Sequence, residues 1–181
     1  YGIIARHGEP ETQGIWVLHE GAVGLADGNL QEIDYSDMPD LDVIDREGPA
    51  EKVAVASDGW IGFTDKYWMT TLVPSPGQPF TSVVKYVGRS DIYQAETRLP
   101  VQEVTAGATA SAETFLFSGA KEWEAIRQYE TELGFQGFVD SIDWGWFYFL
   151  TKPIFQALHW LNAQIGNMGW AIIALTVVIK L

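Results

Sequence analysis

The amino-acid sequence predicts a mainly β protein, an antiparallel β-sandwich followed by C-terminal α-helices, on three observations. Short apolar runs recur at spacings of roughly ten residues up to position 118, with Gly, Pro, Asp and Asn gathered between them. From residue 120 the pattern changes to apolar positions every three or four residues, the period of a helix. The third observation is charge: all 24 acidic residues lie at or before Asp143, and beyond it only Lys152 and Lys180 are charged.

Taken in order, strands are expected over residues 2–5, 14–19, 53–56 and 60–64. They are separated by His7-Gly8-Glu9-Pro10, Asp27-Gly28-Asn29, Glu47-Gly48-Pro49 and Asp58-Gly59, residue types that supply turns. Further strands are expected over 67–73, 80–86, 92–101 and 113–118, although the alternation from Phe80 to Tyr86 is only approximate. Between Ser36 and Glu51 the chain carries Asp37, Asp40, Asp42, Asp45, Glu47 and Glu51 beside the single Arg46. Clustered carboxylates suit a hard cation such as calcium. The stretch lacks the spaced acids and central glycine of an EF-hand, which leaves a solvated acidic loop as the plainer reading.

Over 121–133, Trp123, Ile126, Tyr129 and Leu133 share one helical face, Lys121, Glu122, Glu124, Arg127 and Glu132 occupy the rest, and Gly134 stops the helix. This predicts an amphipathic helix packed on the sandwich. Over 144–165, Leu150, Ile154, Leu158, Leu161 and Ile165 form a second face, which Trp144, Trp146, Phe147, Phe149, Phe155 and Trp160 widen with aromatic rings. Lys152, Gln156, His159, Asn162 and Gln164 are its polar remainder, and Pro153 is expected close to the helix start, where a missing N–H costs little. So many aromatics suit a helix lying along a bilayer interface better than a water-soluble core, with ordinary core packing as the alternative.

Gly166-Asn167-Met168-Gly169 then interrupts the helix, and an uncharged apolar run from Trp170 to Ile179 ends at Lys180. Such a run is too short for a bilayer, which needs about twenty residues. It is either a buried core segment or the start of a transmembrane helix. In the second case a rise of about 1.5 Å per residue from Trp170 carries Lys180 roughly 15 Å into the hydrocarbon, where a cation usually marks a wet functional path. Thr176 lies one turn earlier on the same face; snorkelling of Lys180 near a helix end is the alternative. The expected organisation is a sandwich over 1–119, incomplete at its start, a packed helix and linker over 120–139, an interfacial helix over 140–165, and the start of a transmembrane helix over 166–181. A first residue Tyr1 and an apolar run interrupted at Lys180 lead us to expect a piece of a longer protein.

Composition closes several functional classes. A 47% hydrophobic content with 13% aromatics supports a packed core despite a net charge of −13. That charge, with no Lys/Arg cluster, is unsuited to neutralising phosphates, so no nucleic acid is expected as a partner. Without cysteine there is no disulfide, thiol nucleophile or zinc ribbon. His7, His19 and His159 are dispersed, and the sequence has no nucleophile elbow, P-loop or dinucleotide fingerprint. No catalytic set is found, and neither an enzymatic activity nor a cofactor or metal is expected.

The opening Asp143-Trp144-Gly145-Trp146, Pro153, the Gly166-Asn167-Met168-Gly169 break and Lys180 ten residues after Trp170 resemble, in that order, the YidC/Oxa family of membrane protein insertases. Upstream, Ser57-Asp58-Gly59-Trp60-Ile61-Gly62, the strand over 67–74 and the strand over 115–119 are similar to the large first periplasmic domain of Gram-negative members. The resemblance implies a sandwich of the mutarotase or sugar-binding kind, an amphipathic helix on the periplasmic membrane surface, and the first helix of a five-helix insertase core. It implies that Lys180, where Arg is the commoner residue, sits in a hydrophilic groove that receives polar parts of substrates, and that Thr176 lines that groove. The implied location is the bacterial inner membrane, multi-pass, with residues 1–143 in the periplasm. The implied partners are nascent membrane proteins, Sec translocon components and the lipid bilayer. Two other classes compete: a sugar epimerase, for which His7 and His19 do not supply an obvious acid and base, and a membrane-anchored module binding protein or carbohydrate.

Overall fold

A computed structural model describes residues 1–10, 19–144 and 148–180, with Tyr148 described by its backbone alone. The strand expected over 14–19 falls, apart from His19, outside them. The chain divides into two compact units, Tyr1–Ile142 and Asp143–Leu181. In the first, two antiparallel sheets form the expected sandwich. One runs in the order β1 (Gly2–His7), β9 (Ile92–Arg98), β8 (Phe80–Val87), β5 (Gly48–Val55), β4 (Val43–Ile44). The other runs β10 (Thr114–Ala120), β7 (Trp68–Pro74), β6 (Gly59–Thr64), β2 (Gly21–Ala26), β3 (Asn29–Asp34). Helix α1 (Trp123–Leu133) follows, ended by Gly134 at φ 73°, where only glycine is unstrained.

The core between the sheets gathers Ala22, Ile61 and Phe63 from one sheet and Val84, Tyr93 and Ala95 from the other around Tyr35 and Met38. Tyr35 stacks on Phe63 at 5.6 Å and meets Tyr93 edge-on at 5.1 Å. The second sheet is covered on its other face too. Trp60, wholly buried, donates its indole N–H to the Gln136 carbonyl at 3.2 Å and meets the Phe138 ring edge-on at 5.6 Å. Phe117 touches Phe138 and Phe115 touches Phe135, while Trp123, Ile126 and Val139 are buried with them.

This second cover explains where the structure departs from expectation. Every residue of β2 is buried, so Gly-Ala-Val-Gly-Leu-Ala shows no alternation and was not expected as a strand. Its turn was legible: Asp27 at φ 46° and Gly28 at φ 86° form the two-residue connection to β3. The Asp27 carboxylate accepts the N–H groups of Ala56, Ser57 and Asp58 at 2.7, 3.0 and 3.2 Å, which ties that hairpin to the next turn and lowers its pKa. Glycine at 62 answers a steric demand, because a Cβ there would lie 2.0 Å from the Thr70 carbonyl oxygen.

The acidic stretch is not a continuous loop. It folds as a short 3-10 turn over Met38–Asp40, then β4, then the first residues of β5. Its Glu47 reaches the face of the first sheet turned away from the core. There Arg98 grips it with two guanidinium nitrogens at 2.6 and 3.0 Å, Lys85 lies at 3.0 Å and Lys52 at 3.2 Å. Glu96, buried in the same cluster, pairs with Lys85 at 2.5 Å and Arg98 at 2.6 Å and accepts Gln94 Nε2–H at 2.7 Å. The Arg98 hydrogen bonds, reinforced by Lys85 and Lys52, hold the Glu47 carboxyl well below its ordinary value. Burial opposes the charge on Lys85, but its bonds to Glu96 and Glu47 outweigh that and raise its pKa.

A carboxyl with a depressed folded pKa stabilises the fold above its unfolded value of about 4.5, and that stabilisation fades as the pH falls below it. Glu47→Gln is therefore expected to cost roughly 2–3 kcal/mol at pH 7 and to flatten the loss of stability below pH 4.5, read by urea titration across pH. Among the described residues Thr71 Oγ1 is buried without a hydrogen-bond partner. Thr71→Val removes that unmet polar atom and is expected to raise the unfolding free energy by about 1 kcal/mol in the same titration.

Candidate functional site

The second unit is a pair of helices, α2 (Tyr148–Ile165) and α3 (Met168–Lys180), in contact with each other. Their junction is made by two residues. Gly166 at φ 72° closes α2 by donating its N–H to the Asn162 carbonyl at 2.7 Å. Asn167 then opens α3: its side-chain oxygen accepts the N–H groups of Gly169 at 2.9 Å and Trp170 at 3.3 Å. The break read in the sequence is thus a stop and a start placed back to back. Pro153 stands a full turn inside α2 rather than at its opening, where its ring takes one N–H out of the helical ladder.

The expected apolar face of α2 is divided by α3. Ile154, Leu158 and Leu161 are half-buried, and across the junction Ala171 is wholly buried while Ala174 and Leu175 are half-buried. Phe149, Leu150, Phe155, Trp160 and Ile165 stay exposed. Trp144, half-buried, meets Phe155 edge-on at 5.5 Å, and its carbonyl accepts the Thr151 hydroxyl at 2.8 Å. Trp146 and Phe147 lie outside the described residues. On α3 the side chains of Trp170, Ile172, Ile173, Val177, Val178 and Ile179 are exposed as well. Thr176 and Lys180, both exposed, share a face one turn apart, and the Thr176 hydroxyl donates to the Ile172 carbonyl at 2.7 Å. Among the described residues no helix is long and apolar enough to cross a membrane.

This arrangement has one evident chemical capacity. Each large apolar side chain gains roughly 1.5–3 kcal/mol on leaving water. The two helices carry many of them outward, and the hydroxyl of Thr176 and the cation of Lys180 interrupt that apolar surface. The sequence signals both that surface and the break at Gly166–Gly169; the capping of α3 by Asn167, which its place after Gly166 also signals, was not read. Nor was the Glu47–Glu96 cluster, whose members are far apart in the chain. Among the described residues no group of three His, Asp or Glu side chains converges as metal ligands would.

Comparison with known proteins bears on both units. The family profile described as YidC periplasmic domain matches residues 1–157. A protein of Dinoroseobacter shibae named membrane protein insertase YidC is 68% identical over 99% of this chain and 30% of its own length. Proteins of the same name from Paracoccus denitrificans and Cereibacter sphaeroides are 65% and 59% identical, over 100% and 99% of this chain and 28% and 31% of their own lengths. The chain thus spans about 30% of the curated relatives it matches. Through a match that covers most of its length, the chain belongs to the YidC periplasmic domain family.

Proposed function

We propose that this chain is the periplasmic domain and the first membrane-proximal helices of a membrane protein insertase. The observation that carries the reading is the outward apolar and aromatic surface of α2 and α3, in a chain whose residues 1–157 match this family. In this reading residues 1–143 lie in the periplasm of an inner-membrane, multi-pass protein. Helix α2 lies along the bilayer surface, with Phe149, Leu150, Phe155 and Trp160 as its exposed anchors, and Ile154, Leu158 and Leu161 widen the same apolar face. Helix α3 enters the hydrocarbon, and Thr176 and Lys180 line a wet groove.

The physics of transport then needs no bond to break. A polar segment crossing lipid pays heavily for losing water, and a charged, hydrated groove partway through the bilayer lowers that cost. Lys180 attracts acidic tails as a point charge, without the planar fork by which Arg grips carboxylates. The substrates are nascent membrane proteins, received alone or with components of the Sec translocon. The crevice between the sheets, lined by Gln31, Glu51 and Ser82 among others, has a volume of about 10 Å³, room for one water rather than a sugar.

In the full-length protein, Lys180→Glu is expected to slow insertion of a substrate with an acidic translocated tail by about tenfold, the effect of losing roughly 1.4 kcal/mol of attraction. Lys180→Arg is expected to retain it. Protease protection of the translocated tail is the measurement, and full activity of both Lys180→Glu and Lys180→Ala would retire the groove.

A further inference from the structure

Helix α2 has two long sides of opposite character. Ile154, Leu158 and Leu161 form its half-buried apolar side. At about 3.6 residues per turn, Lys152, Gln156 and His159 follow one another along the opposite side. Aromatic rings border this polar row on both flanks. Phe149 and Trp160 lie along one edge, 67% and 62% exposed. Phe155 lies along the other, where its ring stacks on the His159 ring at 6.4 Å with 16° between the planes.

Charge and ring placement together identify what fits the row. Beyond Asp143 the chain has no acidic side chain, so no carboxylate of α2 opposes the ammonium of Lys152. Residues 1–143, with 24 acidic side chains against nine basic ones, have the reverse balance. A cation on an otherwise uncharged amphipathic helix is matched by a negative surface. The bordering rings narrow this further, because Trp and other amphipathic or aromatic side chains settle at the level of lipid headgroups. A helix sunk about 5–10 Å into the boundary between headgroups and acyl chains carries the side opposite its apolar face among the phosphates.

We propose that Lys152, Gln156 and His159 form a docking row for the phosphate groups of anionic phospholipids. The proposal rests on the reading of α2 as an interfacial helix and names the lipid chemistry that its polar side selects. Lys152 supplies a compact positive charge for a phosphate oxygen. The Gln156 side-chain amide and the His159 ring each add an N–H donor further along the row. Phe155, stacked on His159, holds that ring against the helix. A zwitterionic headgroup brings its own cation to the phosphate and gains less from Lys152, so the row favours lipids of net negative charge.

The test uses the full-length protein with p-benzoylphenylalanine in place of Phe149, one turn before Lys152 on the border of the row. It is reconstituted in nanodiscs of phosphatidylcholine doped with phosphatidylglycerol, and the captured lipid is identified by mass spectrometry. Phosphatidylglycerol is expected to be captured about fivefold above its share of the bilayer, the preference one Lys confers beside an anionic surface. Lys152→Gln is expected to bring capture down to that share, and Lys152→Arg to retain the enrichment. His159→Ala is expected to lower it by about twofold, through the lost donor. Capture of both lipids in proportion to their abundance overturns the docking row while leaving α2 at the interface. Capture of no lipid overturns the interfacial reading along with it. Enrichment abolished by inorganic phosphate at matched ionic strength, or a protein captured in place of lipid, overturns the headgroup as the occupant.

Discussion

The architecture of the β unit turns on the burial of Trp60. Its strand lies in the middle of the second sheet, and the ring projects to the face where a one-sided sandwich would meet water. Covering an indole requires a partner for its N–H as well as apolar contacts, and the segment after α1 provides both through the Gln136 carbonyl and the Phe138 ring. The glycines at 59 and 62 belong to the same solution, since side chains there would collide with the Leu25 and Thr70 carbonyls. With this third layer in place, β2 and β6 are enclosed on both faces, and α1 and the turn over Phe138–Ser141 are bound to the domain.

The charged cluster on the opposite face is organised on a different principle. Residues 1–143 hold all 24 acidic side chains and nine of the eleven basic ones, so most of their surface repels itself. Lys52, Lys85 and Arg98 nevertheless converge on Glu47 and Glu96, a local excess of one positive charge. Two carboxylates gripped by three cations satisfy each other's hydrogen bonds, the condition under which buried ions are tolerated. Glu47 comes from the short connection between β4 and β5, so this cluster also fastens the acidic stretch across the sheet.

Legibility in the sequence followed burial. Most strands with one face in water, and β6 with its Asp58-Gly59 turn, could be read from period and punctuation. The enclosed β2 could not, because burial on both sides removes the polar half of the pattern, and β3 was lost with it although the Asp27-Gly28 turn between them was visible. Helices α1 and α2 were readable from their apolar spacing. In α2 that spacing does not separate the residues that meet α3, such as Leu158, from those left outside, such as Trp160. The pairing of Thr176 with Lys180 on one face follows from helical geometry alone. The ion cluster depends on strand register, which local sequence does not encode.

The Gly166–Asn167 junction has a consequence for the rotational phase of the second unit. No spacer residue separates the end of one helix from the cap of the next, so the azimuth of every α3 side chain is referenced to α2. One residue inserted there would swing Lys180 and Thr176 by about 100° around the α3 axis while leaving both helices intact. The two capping residues therefore act as an angular datum for the cation at the far end of α3.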